Sequence, residues 1–306
     1  MDQPYPTNFG EKAQNRTYQD LLKNKFDEHN FEQLSTSAIY KVSIDGDVKK
    51  WMDDGMYRTI SFSPNGEYVM ISQINKPFSY LVTYSRFPTE TNVYSKDGNF
   101  ISNLLNVPLI EELPKGFMSA RTGKRSFSWR PDKGASLTYV TALDSGDPSK
   151  KVDFRDEVYE LNYPFLGQGK FILKTINRFS GIDWGTKDMA IAYDTWWNTR
   201  NRKSYVFNPS NPNIKPKIIS DRNYQDTYSD PGVFLRSRNE FNRSVLKMHY
   251  GNVFLRGQGF SPNGQFPFID KVNTKTFEKT RVYQSSYTDK IESIIDYDPK
   301  KNQLTV

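Results

Sequence analysis

The sequence predicts an all-β fold, a partial β-propeller whose blades are four-stranded antiparallel sheets, and three observations support this prediction. Hydrophobic residues make up only 36% of the 306 residues, yet aromatic residues reach 15%, and aromatic rings favour strands. Strand–turn–strand units recur along the chain roughly every 55–65 residues. Long helical patterns between these units, which an α/β fold would require, are absent. An irregular β-sandwich is the alternative that the same pattern leaves open.

The polar N-terminal segment, residues 1–35, is the first predicted unit. Apolar side chains recur from residue 16 to residue 34, mostly at spacings of three to five, which predicts one or two short helices. The period then changes, because residues 38–44 alternate between apolar and polar types. Asp45-Gly46 is typical of a turn, and the alternation resumes at Val48, so a β-hairpin is predicted here.

The propeller prediction covers residues 36–306 and depends on repeated hairpins. In most of them an aromatic residue lies at or near the second position before a turn of Asn, Asp or Gly, residue types that adopt turn conformations readily. The clearest hairpins span residues 60–70, 92–101, 127–140, 181–192, 268–277 and 294–306.

One interval between these turns is about twice as long as the others. It contains a polar stretch, residues 221–243, whose pattern is ambiguous between helix and irregular structure. We interpret the region near 221–250 as a helical or irregular insertion, in a blade whose own signature is degraded at residues 253–256. The chain then carries about four to five blades.

Composition and charge exclude several classes of function. The 42 basic residues exceed the 35 acidic residues and give a net charge of +7, which permits an acidic partner without requiring one. Basic pairs are scattered among predicted turns, so nucleic-acid binding is not expected. No stretch approaches the roughly 18 apolar residues of a membrane helix, and no signal-peptide pattern is visible. Without cysteine, disulfides, Cys-ligated zinc and thiol nucleophiles are excluded.

The residues needed for hydrolytic chemistry do not occur in their usual patterns. The Gly-x-Ser-x-Gly motif of α/β-hydrolases is absent, and the nearest string, residues 259–264, contains a Pro-Asn-Gly turn. His29 and His249 lie in contexts typical of surface or packing residues. The acidic clusters, none of which matches a calcium loop, are residues 53–54, 144–147 and 153–157. We therefore predict no catalytic residue, metal or cofactor; carboxylate chemistry in the propeller channel is the weaker enzymatic alternative.

Several strings are specific in combination and follow one another in a fixed order. The strongest are Pro77-Phe78-Ser79-Tyr80-Leu81-Val82, Tyr84-Ser85-Arg86-Phe87-Pro88 and residues 121–130. Others lie at residues 16–24, 61–66, 142–148, 224–232 and 256–270. Together they resemble the propeller of the glutamyl-endopeptidase-like branch of the prolyl oligopeptidase family, which is found in bacteria and in chloroplasts. The resemblance covers the middle of that propeller.

The resemblance implies part of a two-domain serine peptidase in which a propeller caps an α/β-hydrolase domain. That catalytic domain is absent from this chain, so no catalytic residue of the family is carried over. The implied role is to restrict access to the active site and to contact substrate, with the peptide and the hydrolase domain as partners. A self-standing propeller that binds protein or glycan is the alternative function. The branch and the Asn-, Lys- and Tyr-rich composition suggest a bacterial source, periplasmic or secreted in the full-length parent.

Three arginines in the most family-like strings are the candidate substrate-binding residues: Arg86 first, then Arg121 and Arg125. A branch that resembles glutamyl endopeptidases must hold an acidic side chain out of bulk water. Guanidinium does this through forked hydrogen bonds to carboxylate. The alternative is that these arginines join loops through Asp or Glu and have no contact with substrate.

The chain by itself is expected to show no peptidase activity, because the nucleophile motif is absent and neither histidine has a suitable context. The measurement is incubation of the purified chain with a serine-reactive fluorophosphonate probe and with peptides ending in Glu. Stoichiometric labelling, or cleavage that Ser261→Ala abolishes, would contradict this expectation.

Overall fold

The computed structural model describes residues 18–306, and strands form most of their regular structure. The one α-helix in this part of the chain is α1 (Lys25–Ser35), where a single helix takes the place of the predicted one or two. Asn24 caps it, because its side chain accepts hydrogen bonds from the amides of Phe26 and Asp27 at 2.9 and 3.0 Å. Residues 16 and 17, where the predicted helical stretch begins, lie outside the described residues. Within residues 18–306 no helix is long and apolar enough to cross a membrane.

A two-stranded sheet follows the helix and confirms the first predicted hairpin. Its strands are β1 (Ser37–Val42) and β2 (Val48–Gly55), which pair antiparallel. Gly46, in the turn between them, has a φ of +93°, a conformation that glycine adopts without the strain a Cβ would cause. The Asp-Gly pair therefore places the turn as the sequence predicts.

Three sheets of four antiparallel strands come next, each with its strands in chain order. Blade 1 consists of β3 (Tyr57–Phe62), β4 (Tyr68–Ile74), β5 (Thr89–Ser95) and β6 (Phe100–Val107). Blade 2 consists of β7 (Arg125–Trp129), β8 (Ser136–Ala142), β9 (Asp156–Asn162) and β10 (Lys170–Thr175). Blade 3 consists of β11 (Arg178–Thr186), β12 (Met189–Trp196), β13 (Asn201–Phe207) and β14 (Lys217–Asn223). These sheets have the four-stranded form of propeller blades.

Blade 4 has the same core order, with short strands added to it. This region contains β15 (Val233–Phe234), β16 (Arg236–Arg238), β17 (Ser244–Leu246), β18 (Met248–His249), β19 (Asn252–Gly257), β20 (Phe260–Ser261), β21 (Gly264–Gln265), β22 (Phe268–Asn273) and β23 (Lys279–Gln284). The pairs β16–β17 and β20–β21 form separate hairpins. The blade sheet runs β15-β19-β22-β23, with β18 also paired to β19. A last hairpin, β24 (Asp296–Asp298) and β25 (Gln303–Thr305), follows it.

Near 221–250, where a helical or irregular insertion is predicted, the structure has an insertion that contains no helix. Residues 221–223 complete β14, and no helix forms between residues 221 and 250. The inserted element is the β16–β17 hairpin, which divides the first strand of blade 4 into β15 and β18. The turn that sequence reasoning missed is Tyr250-Gly251, both with positive φ. Residues 253–256 belong to β19, the second strand of the blade.

Successive blades share the apolar clusters of the core. In β12, Ala190 and Ala192 pack with side chains of blade 2, whereas Met189 and Ile191 pack with side chains of blade 4. This is the period-two alternation of a strand with both faces covered, so both sets of side chains are apolar. An equivalent cluster joins blades 1 and 2 around the buried side chain of Tyr139. The blades therefore pack face to face in chain order.

The first strands of blades 1 to 3 lie against one another. Trp129 in β7 donates its indole N–H to the carbonyl of Ser61 in β3 at 3.0 Å. The guanidinium of Arg130, which follows β7, lies 3.9 Å from the ring centroid of Trp184 in β11. The first strands therefore face the axis about which the blades are arranged.

The β16–β17 hairpin of blade 4 reaches the other three blades at this axis. Its contacts are Arg236 with the Asp183 carboxylate of blade 3 at 2.5 Å, Asn239 with the Pro131 carbonyl of blade 2 at 2.7 Å, and Arg243 with the Ser63 carbonyl of blade 1 at 3.2 Å. The insertion therefore joins non-adjacent blades across the space between their first strands.

A buried charged cluster stabilises the turn between β7 and β8. Arg130, only 1% exposed, pairs with Asp132 at 2.6 Å and with Glu160 at 3.0 Å. Lys133 reaches Glu160 at 2.5 Å, and the Ser136 hydroxyl donates to it at 2.7 Å. Burial acts in the opposite direction, but the hydrogen bond from Lys133 and the charge of Arg130 hold the pKa of the Glu160 carboxyl below its ordinary value.

Protonation of Glu160 should therefore destabilise the protein. A carboxyl whose pKa is lowered by folding adds stability above its unfolded value of 4.5, and this stability is lost as the pH falls through the folded value. Lys133→Met removes one of the groups that lower the pKa. We expect it to reduce the free energy of unfolding at neutral pH by about 1 kcal/mol, since Lys133 is partly exposed.

The difference in the free energy of unfolding between Lys133→Met and the parent should shrink as the pH falls below 4.5, the pKa of Glu160 in the unfolded chain. Urea unfolding at a series of pH values measures it, with Lys301→Met as the control for loss of one positive charge. A difference that does not change with pH would mean that Lys133 acts through packing.

Candidate functional site

Arg86 ends a 3-10 turn, Tyr84–Arg86, in the connection between β4 and β5. The next residue, Phe87, is buried against Phe78 and Phe31, with ring centroids 5.3 and 5.7 Å away. Phe31 belongs to α1, so the helix and the connection hold each other in place. Two of the strongest family-like strings, residues 77–82 and 84–88, lie in this connection.

The guanidinium of Arg86 is buried without a carboxylate partner. The residue is 9% exposed, and its Nη1 donates only a long hydrogen bond, 3.5 Å, to the carbonyl of Glu111. Its guanidinium carbon lies 5.5 Å from the ring centroid of Tyr18, a cation–π contact. Its Nη2 has no hydrogen-bond partner within residues 18–306. A buried donor without a partner is costly, and Arg125 has one as well, since its Nε lacks a hydrogen-bond partner in the same part of the chain.

Arg86 lines a cleft of about 270 Å³ between blades 1 and 2. One wall is a cross-strand row of blade 1, in which Thr59, Ser72, Thr91 and Leu105 lie side by side on the four strands. Cross-strand neighbours point to the same face of a sheet, so three hydroxyl-bearing side chains and one apolar side chain face the cleft. The cleft can therefore bind both polar and apolar parts of a ligand.

Two further arginines line this cleft, and no acidic residue of the described chain does. Arg121, between β6 and β7, donates to the carbonyl of Thr122 at 3.1 Å. Arg58, in β3, donates to the carbonyl of Ser85 at 3.5 Å. Burial, and then the charge of Arg125, lowers the pKa of Arg121. Among residues 18–306 no carboxylate lies within 4 Å of these three cleft arginines, so the site suits an anion.

Arg125 begins β7 beside this cleft and pairs with a carboxylate, and its contact with substrate stays a prediction. Its guanidinium pairs at 2.5 Å with Asp156, whose carboxylate has no solvent exposure. Arg178 binds Asp144 through two hydrogen bonds of 2.8 Å and pairs with Asp156 at 3.1 Å. Arg155 completes this network on Asp144 at 2.7 Å.

Sequence reasoning missed Arg58 as a member of the cleft. It lies in an alternating strand, outside the family-like strings, and only the packing of blade 1 on the Tyr84–Arg86 turn brings it to the site.

The residues nearest to hydrolase chemistry in the sequence have other contacts in the structure. The Ser261 hydroxyl donates to the carbonyl of Gly264 at 3.0 Å, within the β20–β21 hairpin. The ring of His249 lies 4.2 Å from that of Tyr250, and His29 is exposed on α1. In the described part of the chain no group of three or more Asp, Glu or His residues could hold a metal ion.

Two plant proteins, both described as "Probable glutamyl endopeptidase, chloroplastic", are similar to this chain. The protein from Oryza sativa subsp. japonica is 37% identical over 290 residues, which cover 92% of this chain and 31% of the relative. The protein from Arabidopsis thaliana is 33% identical over 291 residues, covering 92% and 30%. This chain thus spans less than a third of the length of these relatives. No family model matches it.

Among solved structures, the β-propeller domain of the trilobed protease from Pyrococcus furiosus is similar with a TM-score of 0.40. Its sequence is 12% identical, and the match covers 74% of this chain and 58% of that one. The sequence similarity to the two plant proteins extends over nearly the whole chain and includes the blades described above. The chain is a β-propeller segment related in sequence to these glutamyl-endopeptidase-like proteins. Because both relatives are plant proteins, a bacterial source for this propeller segment stays a prediction.

The two kinds of arginine in this propeller segment should respond differently to mutation. Arg125→Met leaves the buried Asp156 with one cation fewer, so we expect the free energy of unfolding to fall by about 2–4 kcal/mol. Arg58→Met removes an exposed cation and should change stability by about 0.5 kcal/mol or less. Thermal and urea unfolding of both variants measures this contrast. Equal losses in the two variants would contradict the division of roles.

Proposed function

We propose that this segment is the propeller of a serine peptidase whose catalytic residues lie on an α/β-hydrolase domain outside this chain. The propeller would restrict access to that active site and contact the peptide substrate. The description of both relatives as probable glutamyl endopeptidases supports the proposal. The reaction served would be hydrolysis of a peptide bond by a nucleophilic serine, and this chain would supply substrate contacts only.

The observation that carries the proposal is the cleft between blades 1 and 2, which is lined by three arginines and by no carboxylate from residues 18–306. Arg86 would receive an acidic side chain of the peptide, because its Nη2 is buried and has no partner in the described chain. Arg121 and Arg58 would add positive charge nearer the opening and attract the acidic peptide. We assign Arg125 a structural role instead, because its guanidinium pairs with the buried Asp156.

The size of the cleft fits one side chain and the adjoining backbone. Its volume of about 270 Å³ lies just below the roughly 300–1,000 Å³ of sites that bind drug-sized ligands. The hydroxyl of Thr59 in the blade 1 wall can bind a backbone group of an extended peptide, whereas that of Thr91 already bonds to Ser72 at 2.7 Å. A folded protein cannot enter such a space, so the cleft would act on flexible peptides.

Replacement of Arg86 tests this proposal. Arg86→Met keeps most of the apolar stem and removes the charge, so a peptide containing Glu should bind about ten- to a hundredfold more weakly. The same peptide with Gln in place of Glu should be affected much less. Isothermal titration of both peptides into this chain gives the two affinities. In the longer peptidase, the same selectivity should appear in kcat/KM.

Two further variants separate binding from folding. Arg86→Lys keeps the charge without the forked geometry and should recover part of the Glu-peptide affinity. Arg238→Met, on the β16–β17 hairpin, is the control for loss of an arginine outside the cleft. An equal loss for the Glu and Gln peptides, with a lower Tm, would assign Arg86 to structure and overturn the proposal.

A further inference from the structure

A second and larger cleft lies between blades 3 and 4, with a volume of about 600 Å³. The blade 3 wall again includes a cross-strand row, here Tyr193, Ser204 and Ser220. The opposite wall comes from blade 4 and is apolar, with Phe234, Leu255 and Val272. The cleft is large enough for several residues of a peptide.

Positive charge dominates this cleft. Five basic side chains line it and only two acidic ones, Asp183 and Asp230. Asp183 already accepts from Tyr193 at 2.8 Å and pairs with Arg236 at 2.5 Å. Asp230 accepts from the amide of Gly232 at 2.9 Å and pairs with Arg222 at 3.8 Å. Neither carboxylate is left to neutralise the remaining cations.

Arg202 and Lys217 are the cations without a carboxylate partner. Within residues 18–306 no Asp or Glu lies within 4 Å of either of them. Arg202 lies 5.9 Å from the ring of Tyr224, and Lys217 lies 4.3 Å from the ring of Phe277. Both are exposed and close to aromatic rings, so they present charge beside an apolar surface.

The outermost strand of blade 3, β14, runs along this cleft. Its residues 217–220 and 222 all line the cleft, so the opening follows the strand rather than a single side chain. β14 pairs with β13 on one side, and no strand among the described residues pairs with its other side. A free strand edge offers backbone donors and acceptors to an added strand.

We propose that the cleft between blades 3 and 4 binds an acidic peptide in extended form, added as a strand to the edge of β14. The peptide backbone pairs with β14, and every second side chain faces the cleft, where acidic ones reach Arg202 and Lys217. The chemistry of the site, a basic face beside a free strand edge, selects acidic residues at every second position. This inference does not depend on the function proposed for the cleft between blades 1 and 2.

The probe is a fluorescein-labelled octapeptide of alternating Glu and Val, compared with one of alternating Gln and Val. Fluorescence anisotropy with the full chain should show tighter binding of the Glu peptide, decreasing as salt is raised. The double variant Arg202→Met, Lys217→Met should bind it about tenfold more weakly than the parent. The double variant Lys300→Met, Lys301→Met loses the same charge outside the cleft and should bind as the parent does.

Hydrogen exchange then locates the peptide. Amides of residues 217–223 should gain protection with the Glu peptide, because an added strand accepts hydrogen bonds from the edge of β14. Unchanged protection there, equal affinity of the two double variants, or equal binding of the Gln peptide would overturn the inference. Tighter binding of a fluorescein-labelled dT octamer than of the Glu peptide would overturn it in favour of a nucleic acid. Circular dichroism melts confirm that each variant is folded.

Discussion

The packing of blade 3 on blade 2 depends on two carboxylates whose side chains have no solvent exposure, Asp144 and Asp156. They lie at one end of blade 2, and Arg178, which begins blade 3, binds both. Burial of a carboxylate is tolerated only when cations and hydrogen-bond donors surround it closely. The position of blade 3 on blade 2 therefore depends on this contact as well as on the apolar cluster between them.

The three interfaces between successive blades show two different electrostatic situations. Between blades 2 and 3, arginines meet buried carboxylates and the charge is balanced. Between blades 1 and 2 and between blades 3 and 4, basic side chains line clefts with too few acidic partners. The balanced charges between blades 2 and 3 join these two blades. In the two basic clefts, positive charge remains that an acidic ligand can neutralise.

The β16–β17 hairpin connects blades that do not follow one another in the chain. Face-to-face packing joins only successive blades, so nothing in it relates blade 4 to blade 1. The hairpin does so through Arg243 and the carbonyl of Ser63. Its base also forms part of the cleft between blades 3 and 4, where Arg236 pairs with Asp183. One insertion thus contributes to blade arrangement and to a candidate binding site.

The function of each arginine depends on which groups face it after folding. Arg86, Arg121 and Arg125 occur in similar family-like strings, yet Arg125 meets Asp156 while Arg86 meets only carbonyl and ring atoms. Packing around Phe87 and Phe31 buries Arg86 without giving it a counter-ion. This is a property of the assembled connection between β4 and β5 and of α1, and not of any one string.

The sequence by itself determined the hairpins, because turn residues such as Asp45-Gly46 and the alternation around them act locally. It also determined the relationship to the glutamyl-endopeptidase-like proteins, since the matching strings follow one another along nearly the whole chain. Only the tertiary structure decided that residues 236–246 form a hairpin across the blades and that Arg58 belongs to the basic cleft. It also separated Arg125 from Arg86. These outcomes depend on partners more than 20 residues away in the chain, such as Asp156 for Arg125, and local patterns carry no information about such partners.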